Sequence, residues 1–375
     1  MKKIVTIILS TILSMSALIN PVSAELSTTI EEKGDFLYTY DGISVEAKYK
    51  KRNSKQEILR IEFPEKNNGK EISKIGFTNF DDDIKAQNLN VNTLFVPKTV
   101  KEVYFECVYY YNLCESSERY ISLKNIEVDK DNPYLCSKDG VLYSKDMKTI
   151  HLYPNRNSMT VYKMPNSIEE YTGSPLFIER NNIQRLYLSD NLKYIGESFA
   201  SKCKNLKFVY VGTNTKEIEQ LAFNGDKKLK TVKINSKKLK SIEDLTFSGC
   251  SNLKKINIPS TVKIIGEGAF WKCKSLKKIT LPKNLKSIGF SAFADCKKLS
   301  KVIINNKKKA PKISKDVVNS ETGVYKDAFK NTKKGIKFYV KNKKVAKSLK
   351  KQLKGSGVRN AKILIGKKVV YKNVK

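Results

Sequence analysis

The chain contains one phrase twice, as IGEGAFWKCKSLKKITLP at residues 265–282 and as IGFSAFADCKKLSKVIIN at residues 288–305. Both copies place Ile, Gly, Ala-Phe, Cys, Leu and two further aliphatic residues in the same order. Looser copies precede them, and the first residue of the phrase recurs with spacings of 23, 24, 23 and 23 at Ile195, Ile218, Ile242, Ile265 and Ile288. A fixed period of this length indicates stacked structural repeats.

The repeated unit has the pattern I-x-x-x-A-F-x-x-C-x-x-L-x-x-I-x-I-P. It departs from this pattern at Asp226, which replaces Cys, at Thr246, which replaces Ala, and at Phe199-Ala200, which inverts Ala-Phe. The L-x-x-I-x-I half is a leucine-rich-repeat strand signature, and its last two aliphatics alternate with other residues as in a strand with one buried face. Because one unit cannot bury its own apolar face, the units stack. We therefore predict a leucine-rich-repeat solenoid, β-rich with short helical segments and parallel strands, whose repeated letters are core positions.

The pattern is regular over residues 195–306, irregular over residues 72–194 and degenerate from there to residue 330. The Asp139-Gly140 pair between apolar runs predicts an inserted β-hairpin near residues 135–153. Asp41-Gly42 predicts another hairpin which, together with the run ILRIEFP, forms an N-terminal β cap over residues 25–71. Residues 331–375 predict an α/β C-terminal cap, with a short helix in KNKKVAKSLKKQLKG and strands on both sides of it.

The stretch from Cys273 to Phe293 resembles the BspA-like leucine-rich repeats of bacterial surface proteins almost letter for letter. The opening GDFLYTYDG and the segment SKDGVLYSKD resemble further parts of that family, so that the resemblance covers roughly residues 35–330. It implies a right-handed stack of parallel strands and a role in adhesion or recognition outside the cell. The family has no shared catalytic residues to transfer to this chain.

The first 24 residues have the order of a secretory signal peptide. Lys2 and Lys3 precede an apolar run, and Val22-Ser23-Ala24 offers small residues for cleavage after Ala24. We therefore expect a secreted protein or one associated with the cell surface, with no transmembrane segment after cleavage. Its 72 Lys and Arg against 37 Asp and Glu, a formal net charge of +35, favour polyanionic partners. The excess is nearly all Lys, which lacks the bidentate recognition that Arg provides.

Seven cysteines in a secreted chain raise the question of disulfides. Four of them, Cys203, Cys250, Cys273 and Cys296, occupy one position of the repeat, which predicts small buried apolar groups. The other three, Cys107, Cys114 and Cys136, lie outside that register. One disulfide among these three is left open.

Motifs of enzyme chemistry are missing from the sequence. The single histidine, His151, lies in TIHLYP without a zinc-protease motif, and there is no phosphate-binding loop, nucleophile elbow or C-x-x-C. The acidic stretches Asp81–Asp83 and Asp129–Asn132 lack the ligand spacing of a calcium loop and are interpreted as an exposed loop and a turn. We predict no enzyme, cofactor or metal, although a pair of distant carboxylates needs no local spacing.

The residues that alternate with the buried aliphatics of each strand are the candidate binding site. On successive units they are Arg185 and Tyr187, Phe208 and Tyr210, Thr231 and Lys233, Lys255 and Asn257, Lys278 and Thr280, and Lys301 and Ile303. One end of this ladder is aromatic and the other is basic, a combination that suits a protein or glycan partner. Ordinary solvated surface is the alternative interpretation of the same positions.

Two functions follow as hypotheses. The first is recognition of an extracellular protein or glycan through the exposed strand face. The second is a structural protein held electrostatically on an anionic cell-wall polymer by its Lys-rich surface. No specific nucleic-acid partner is predicted, and the oligomeric state is left open.

Overall fold

The structure, a computed structural model, describes residues 5–6, 29–33, 36–40, 45–49, 58–77, 90–105, 122–172, 175–314, 317–319, 323–325, 327–354, 356 and 358–374. Most of the predicted signal peptide lies outside these residues, and so do Asp41-Gly42, Asp81–Asp83, Cys107 and Cys114. The expectations about them stay predictions. The chain divides into two compact units, one formed by residues 1–146 and 153–157 and the other by residues 147–152 and 158–375.

The first unit contains twelve described strands: β1 (Val5–Thr6), β2 (Thr29–Lys33), β3 (Phe36–Tyr40), β4 (Val45–Tyr49), β5 (Ile58–Glu62), β6 (Lys66–Asn67), β7 (Lys70–Phe77), β8 (Asn90–Val96), β9 (Glu102–Phe105), β10 (Ser122–Val128), β11 (Leu135–Lys138) and β12 (Val141–Ser144). Antiparallel pairing joins β1 to β2, β2 to β3 and β3 to β4. Five later strands join β4 in two parallel ladders, β4-β7-β9 and β5-β8-β10, and β6 pairs antiparallel with β7.

Each coil of this unit therefore contributes one strand to each of two ladders. In the second ladder Ile61, Leu94 and Ile126 stand side by side, all buried, as the inward column of a stack. The run ILRIEFP, which the sequence groups with the N-terminal cap, contains β5 and pairs in parallel with β8. Its pairing thus places it in the ladder, since the antiparallel meander consists of β1, β2, β3 and β4.

The predicted hairpin at Asp139-Gly140 is confirmed. The strands β11 and β12 pair antiparallel, and both turn residues have positive φ, 53° and 75°. Gly140 is required there for a second reason, because an added Cβ would lie 2.4 Å from Asn125 Oδ1. The turn residue therefore also fixes how the hairpin packs on β10.

The second unit contains twenty strands and one helix among its described residues: β13 (Thr149–Leu152), β14 (Val161–Lys163), β15 (Glu170–Tyr171), β16 (Arg185–Tyr187), β17 (Tyr194–Ile195), β18 (Phe208–Val211), β19 (Glu217–Ile218), β20 (Thr231–Ile234), β21 (Ser241–Ile242), β22 (Lys255–Ile256), β23 (Ile264–Ile265), β24 (Lys278–Leu281), β25 (Ser287–Ile288), β26 (Lys301–Ile304), β27 (Lys312–Ile313), β28 (Val317–Asn319), β29 (Gly323–Tyr325), β30 (Lys337–Val340), α1 (Lys343–Leu353), β31 (Ala361–Ile365) and β32 (Lys368–Val374). This is the predicted solenoid, with one coil for each repeat.

The repeated letters line its interior. Phe223, Phe247, Phe270, Phe293 and Phe329 form a row of stacked rings whose successive centroids are 5.2–5.5 Å apart and whose planes differ by at most 13°. The Leu column is fully buried from Leu206 to Leu299. The interpretation of the phrase as core packing is confirmed.

The cysteines of the repeat are buried thiols, as predicted. Cys250, Cys273 and Cys296 donate through Sγ to the Phe carbonyl oxygens of the preceding coils at 3.1–3.2 Å. Burial raises the pKa of the Cys250 and Cys273 thiols well above the ordinary value. Since the thiolate is the reactive form, these groups are chemically quiet and act as core.

The C-terminal segment also follows the prediction. Helix α1 buries Val345, Leu349 and Leu353, and its N-cap Asn342 accepts a hydrogen bond from the Val345 amide at 3.0 Å. On the two sides of the helix, β30 and β31 pair in parallel and extend the ladder that begins with β24 and β26. The last strand, β32, returns antiparallel and covers the edge of β31.

Candidate functional site: the outward strand faces

Parallel pairing sets the outward side chains of the aromatic sheet in two columns. This sheet has the order β14-β16-β18-β20-β22. Its central positions Leu186, Val209 and Val232 are in register and buried. Because side chains alternate across a strand, the positions on both sides of them point outward. We call these outward residues of β14 to β20 the aromatic face; they are Val161, Lys163, Arg185, Tyr187, Phe208, Tyr210, Thr231 and Lys233.

Three side chains of the aromatic face contact one another. The Tyr187 and Phe208 rings lie with their centroids 5.1 Å apart. The Arg185 guanidinium lies over the Phe208 ring at 4.7 Å and donates through Nη2 to the Tyr187 hydroxyl at 2.7 Å. Both rings are only half-buried, whereas Arg185 is exposed. The cluster is a cation held over an aromatic surface that solvent still reaches.

Tyr210 is fixed by hydrogen bonds at its tip. Its hydroxyl donates to Asp190 Oδ1 at 2.9 Å and accepts from Asn235 Nδ2 at 3.3 Å. Burial, followed by the bond to Asp190, raises the pKa of the phenol. The ring lies 6.4 Å from that of Tyr187. A tyrosine bonded in this way presents its ring in one orientation and stays neutral at physiological pH.

The candidates of the next two strands are placed differently from one another. Thr231 is half-buried, and Lys233 and Lys255 are exposed. Asn257 lies beyond the end of β22, and its carboxamide is turned to the neighbouring coil. It accepts from the Ile234 amide at 2.9 Å and donates to the Ile234 carbonyl at 2.7 Å. Its amide therefore replaces a backbone partner, and as a partner-binding candidate it is engaged within the fold.

The single ladder that the sequence predicts is divided in the structure. Among the described residues no strand pairing joins β22 to β24, and the remaining candidates belong to a second sheet, β24-β26-β30-β31-β32. At this seam Ile256 and Ile258 are only partly buried, whereas Ile279 and Leu281 in the next coil are fully buried. The sequence predicts that Ile256 and Ile258 are buried like the other repeated aliphatics, and their partial exposure shows that this prediction is wrong for these two residues. The reason is that β22 pairs with β20 on one side and with no described strand on the other.

Lysine dominates the outward face of the second sheet. Lys278 is in register with Lys301, and Thr280 with Ile303. The register continues to Lys337 and Tyr339 and then to Lys362 and Leu364. We call Lys278, Lys301, Lys337 and Lys362 the lysine column. Lys278 and Lys337 are exposed, and the other two are partly buried.

Several residues of both faces are missing from the sequence-based set. Val161 and Lys163 precede Arg185 and Tyr187 in the same columns, and Lys337 and Lys362 continue the lysine column. The units of Val161, Lys163 and Lys362 lack the Ala-Phe-Cys phrase on which the alignment depends, and the unit of Lys337 keeps Ala328-Phe329 but has Thr332 in place of Cys. The alternation in VYK and KFYV was the available signal, but it does not identify the neighbouring strand.

The single histidine is not part of a metal-binding cluster in the described part of the chain. His151 on β13 is partly exposed, and its Nδ1 lies 3.1 Å from Thr172 Oγ1. Within the described part of the chain, no three His, Cys, Asp or Glu side chains are placed to hold a metal ion. In the same part of the chain, no helix has the length and apolar character needed to cross a membrane.

Three solved bacterial proteins have similar folds. A leucine-rich-repeat protein from Eubacterium ventriosum is 16% identical, with a TM-score of 0.49 over 78% of this chain and 98% of that one. The pneumococcal vaccine antigen PcpA is 17% identical, with a TM-score of 0.43 over 90% and 99%. A leucine-rich cell surface protein from Faecalibacterium prausnitzii is 16% identical, with a TM-score of 0.37 over 75% and 90%. At these values the similarities carry no inference about function.

The family profile of the BspA-type leucine-rich-repeat region matches six copies over residues 134–240 and 216–340, which is more than half of the chain. No curated protein matches the sequence. The matched residues include the phrase, the stacked Phe row, the aromatic sheet and the strands β24, β26 and β30 of the second sheet. The chain belongs to the family of proteins with BspA-type leucine-rich repeats.

Proposed function

We propose that this protein is a secreted or cell-surface recognition protein that binds an extracellular protein or glycan through the aromatic face. The observation that carries the proposal is the cluster of Arg185, Tyr187 and Phe208, with Tyr210 beside it, on the outward side of a rigid parallel sheet. BspA-like repeat proteins are often surface proteins involved in adhesion. The family is typically non-enzymatic, which agrees with the absence of catalytic motifs in the sequence.

The physical argument concerns the entropy of binding. Aromatic and Arg side chains provide most of the binding energy in many interfaces. Ordering a flexible side chain on binding costs about 0.5–1.5 kcal/mol. Here Tyr187 is held by Arg185 and Tyr210 by Asp190, so that much of this ordering has taken place in the unbound protein. A partner with a flat apolar or sugar surface gains the contact area of the rings at a reduced entropic cost.

The test is a triple substitution of the aromatic face, Tyr187→Ala, Phe208→Ala and Tyr210→Ala. The purified protein is applied to arrays of extracellular proteins and glycans, and the affinity for each ligand retained there is measured. We expect a loss of at least about tenfold, equivalent to about 1.4 kcal/mol.

The matched control is Tyr194→Ala with Ile264→Ala. It removes two exposed apolar side chains from β17 and β23 of the same unit, outside the aromatic sheet. The control should bind as the unmodified protein does. Two results would refute the proposal: the unmodified protein retains no array ligand, or the triple variant folds and binds normally.

The second candidate function is attachment to an anionic cell-wall polymer. It is supported by the charge distribution, because residues 328–375 contain 17 Lys and Arg and no Asp or Glu. Attachment of this kind is released by moderate salt, since exposed charges are screened beyond about 10 Å at 0.1 M. The aromatic and basic faces belong to separate sheets, so the two functions do not compete for the same residues.

A further inference from the structure

The lysine column has an unusual arrangement for a surface that is merely solvated. Lys278, Lys301, Lys337 and Lys362 occupy consecutive strands in exact register. Neighbouring parallel strands are about 4.8 Å apart, so that the four positions extend over roughly 14 Å. Like charges directly opposite one another on paired strands are destabilising. The fold therefore carries a line of four positive charges along the direction in which its coils stack.

Acidic neighbours do not offset this line. The ion pairs of the described residues involve Arg60, Lys74, Lys98, Lys148 and Lys193, and none includes a residue of the second sheet. The strands β24, β26, β30, β31 and β32 contain no Asp or Glu. The Lys301 ammonium group of the column lies over an aromatic ring, with its Nζ 4.4 Å from the centroid of Tyr339. The positive potential is therefore directed outward.

We propose that the lysine column binds a linear phosphodiester polymer without bases, such as a chain of polyol phosphates, laid across β24, β26, β30 and β31. The inference rests on the second candidate function and narrows it from the whole Lys-rich surface to one track of four side chains. A flexible chain with one charge on each unit can follow charges that recur at every coil. Lysine suits this partner, because its ammonium group acts as a mobile point charge toward phosphate.

Single-stranded nucleic acid fits this face less well. It is held largely by stacking of its bases on aromatic side chains. The residues beside the column in the same register are Thr280, Ile303, Tyr339 and Leu364, and the Lys301 ammonium group lies over the face of Tyr339. The absence of Arg does not separate phosphate from carboxylate or sulfate, because the Arg fork matches phosphate as well. The experiment therefore includes heparin, which carries sulfate and carboxylate groups.

The experiment measures binding of the full chain to a synthetic oligomer of glycerol phosphate at several NaCl concentrations. The test variant carries Lys278→Gln, Lys301→Gln, Lys337→Gln and Lys362→Gln. The matched control removes the same charge from four exposed lysines outside the column, with Lys204→Gln, Lys238→Gln, Lys263→Gln and Lys333→Gln.

We expect the test variant to bind at least about tenfold more weakly at low salt, and its slope of log affinity against log salt to fall by about 2–3 in magnitude. The control should lose less than about threefold. Thermal unfolding of the test variant should be unchanged or shifted upward, because like charges in register are removed.

Three results would overturn the inference. Equal losses in both variants would mean that diffuse charge alone binds the polymer, which leaves the second candidate function standing. No binding by the unmodified protein would refute both. Equal or tighter binding of single-stranded DNA or heparin of matched charge, lost in the test variant to the same degree, would refute the assignment to a base-free phosphodiester.

Discussion

The aromatic sheet, β14-β16-β18-β20-β22, and the second sheet, β24-β26-β30-β31-β32, belong to the same unit but have different outward residues. We call the second one the lysine sheet. Both are five-stranded, and both are parallel except for the returning strand β32. Both bury the same aliphatic columns, with Val209 and Val232 on one side of the seam and Ile279 and Val302 on the other. Their outward positions differ: Tyr187, Phe208 and Tyr210 lie together on the first sheet, whereas four Lys are in register on the second. The comparison shows that stacking constrains the inward residues and leaves the outward ones free to vary.

The row of Phe rings is the element that the two sheets have in common. It passes beneath the seam without interruption, because Phe247 and Phe270 stack with centroids 5.5 Å apart although β22 and β24 do not pair. The coils on the two sides of the seam are therefore held together through their interior. Deleting one ring of this row should therefore affect both sheets.

Phe270→Ala should have the largest effect. It deletes a fully buried ring between Phe247 and Phe293, and such deletions cost about 3–5 kcal/mol, because the transfer energy is lost and a cavity remains. The measurement is urea unfolding, and binding at both faces should decline together as the scaffold loosens. If the Ala variant does not fold, Phe270→Leu reports the same trend at a smaller cost.

The control is Phe208→Ala, which deletes the same ring from the half-buried outward face. It should cost clearly less stability and affect only the aromatic face. An equal cost for the two substitutions would contradict the division into inward and outward positions.

Two irregularities of the repeat meet on the aromatic side. In the regular coils the amides of Cys250, Cys273 and Cys296 donate to the Phe carbonyl three residues earlier at 3.2–3.3 Å. In the coil with the inverted Phe199-Ala200 pair, the Cys203 amide donates to Asp226 Oδ1 at 2.7 Å. The aspartate that replaces Cys in the next coil thus supplies the acceptor for this amide. The same inversion turns the Phe199 and Phe223 rings edge to face, at 72°.

Asp226→Asn should have the second-largest effect and should depend on pH. Asp226 is completely buried, its Oδ2 has no hydrogen-bond partner, and burial raises its pKa well above 3.8 despite the bond from Cys203. The folded chain thus holds a proton that the unfolded chain loses, so the contribution to stability is full below pH 3.8 and is lost as pH rises toward the raised pKa.

The difference in the free energy of unfolding between the Asp226→Asn variant and the unmodified protein should therefore grow with pH, by at most about 1.4 kcal/mol per pH unit. Asn keeps the acceptor for Cys203 and cannot ionise. Urea unfolding at a series of pH values measures this difference, and Asp226→Ala serves as the control that removes the acceptor too. A difference that does not change with pH would show that the carboxyl is not held protonated.

Asn257→Ala should have the smallest effect and should act at the seam. It removes both hydrogen bonds to the Ile234 backbone, each worth about 0.5–1.5 kcal/mol. Hydrogen exchange should accelerate at the Ile234 amide and leave the Ile304 amide in the lysine sheet unchanged. Asn252→Ala, which removes one bond to the Lys227 carbonyl, is the matched control. Unaltered exchange at Ile234 would mean that Asn257 does not secure the end of the aromatic sheet.

Much of the fold follows from the sequence, and less of the site does. The spacing of Ile, Phe, Cys and Leu predicts the coils because each letter marks a buried position of a stack. The same spacing also places Tyr187 beside Tyr210 and Lys278 beside Lys301, since a parallel register repeats with the coil. It does not reveal that Asn257 turns to the backbone, since a surface Asn and one that bonds a neighbouring strand have the same letter.

What the sequence alone determined is thus periodic: the coil length, the inward columns and the identity of the outward residues within the regular units. What only the tertiary structure decided is where the period fails. The seam between β22 and β24, the exchange of partners at Asp226 and the extension of the lysine column to Lys337 and Lys362 all depend on which strand lies next to which. Strand pairing joins residues that are distant in the chain, and its energy arises only when both partners are in place, so no local pattern records it.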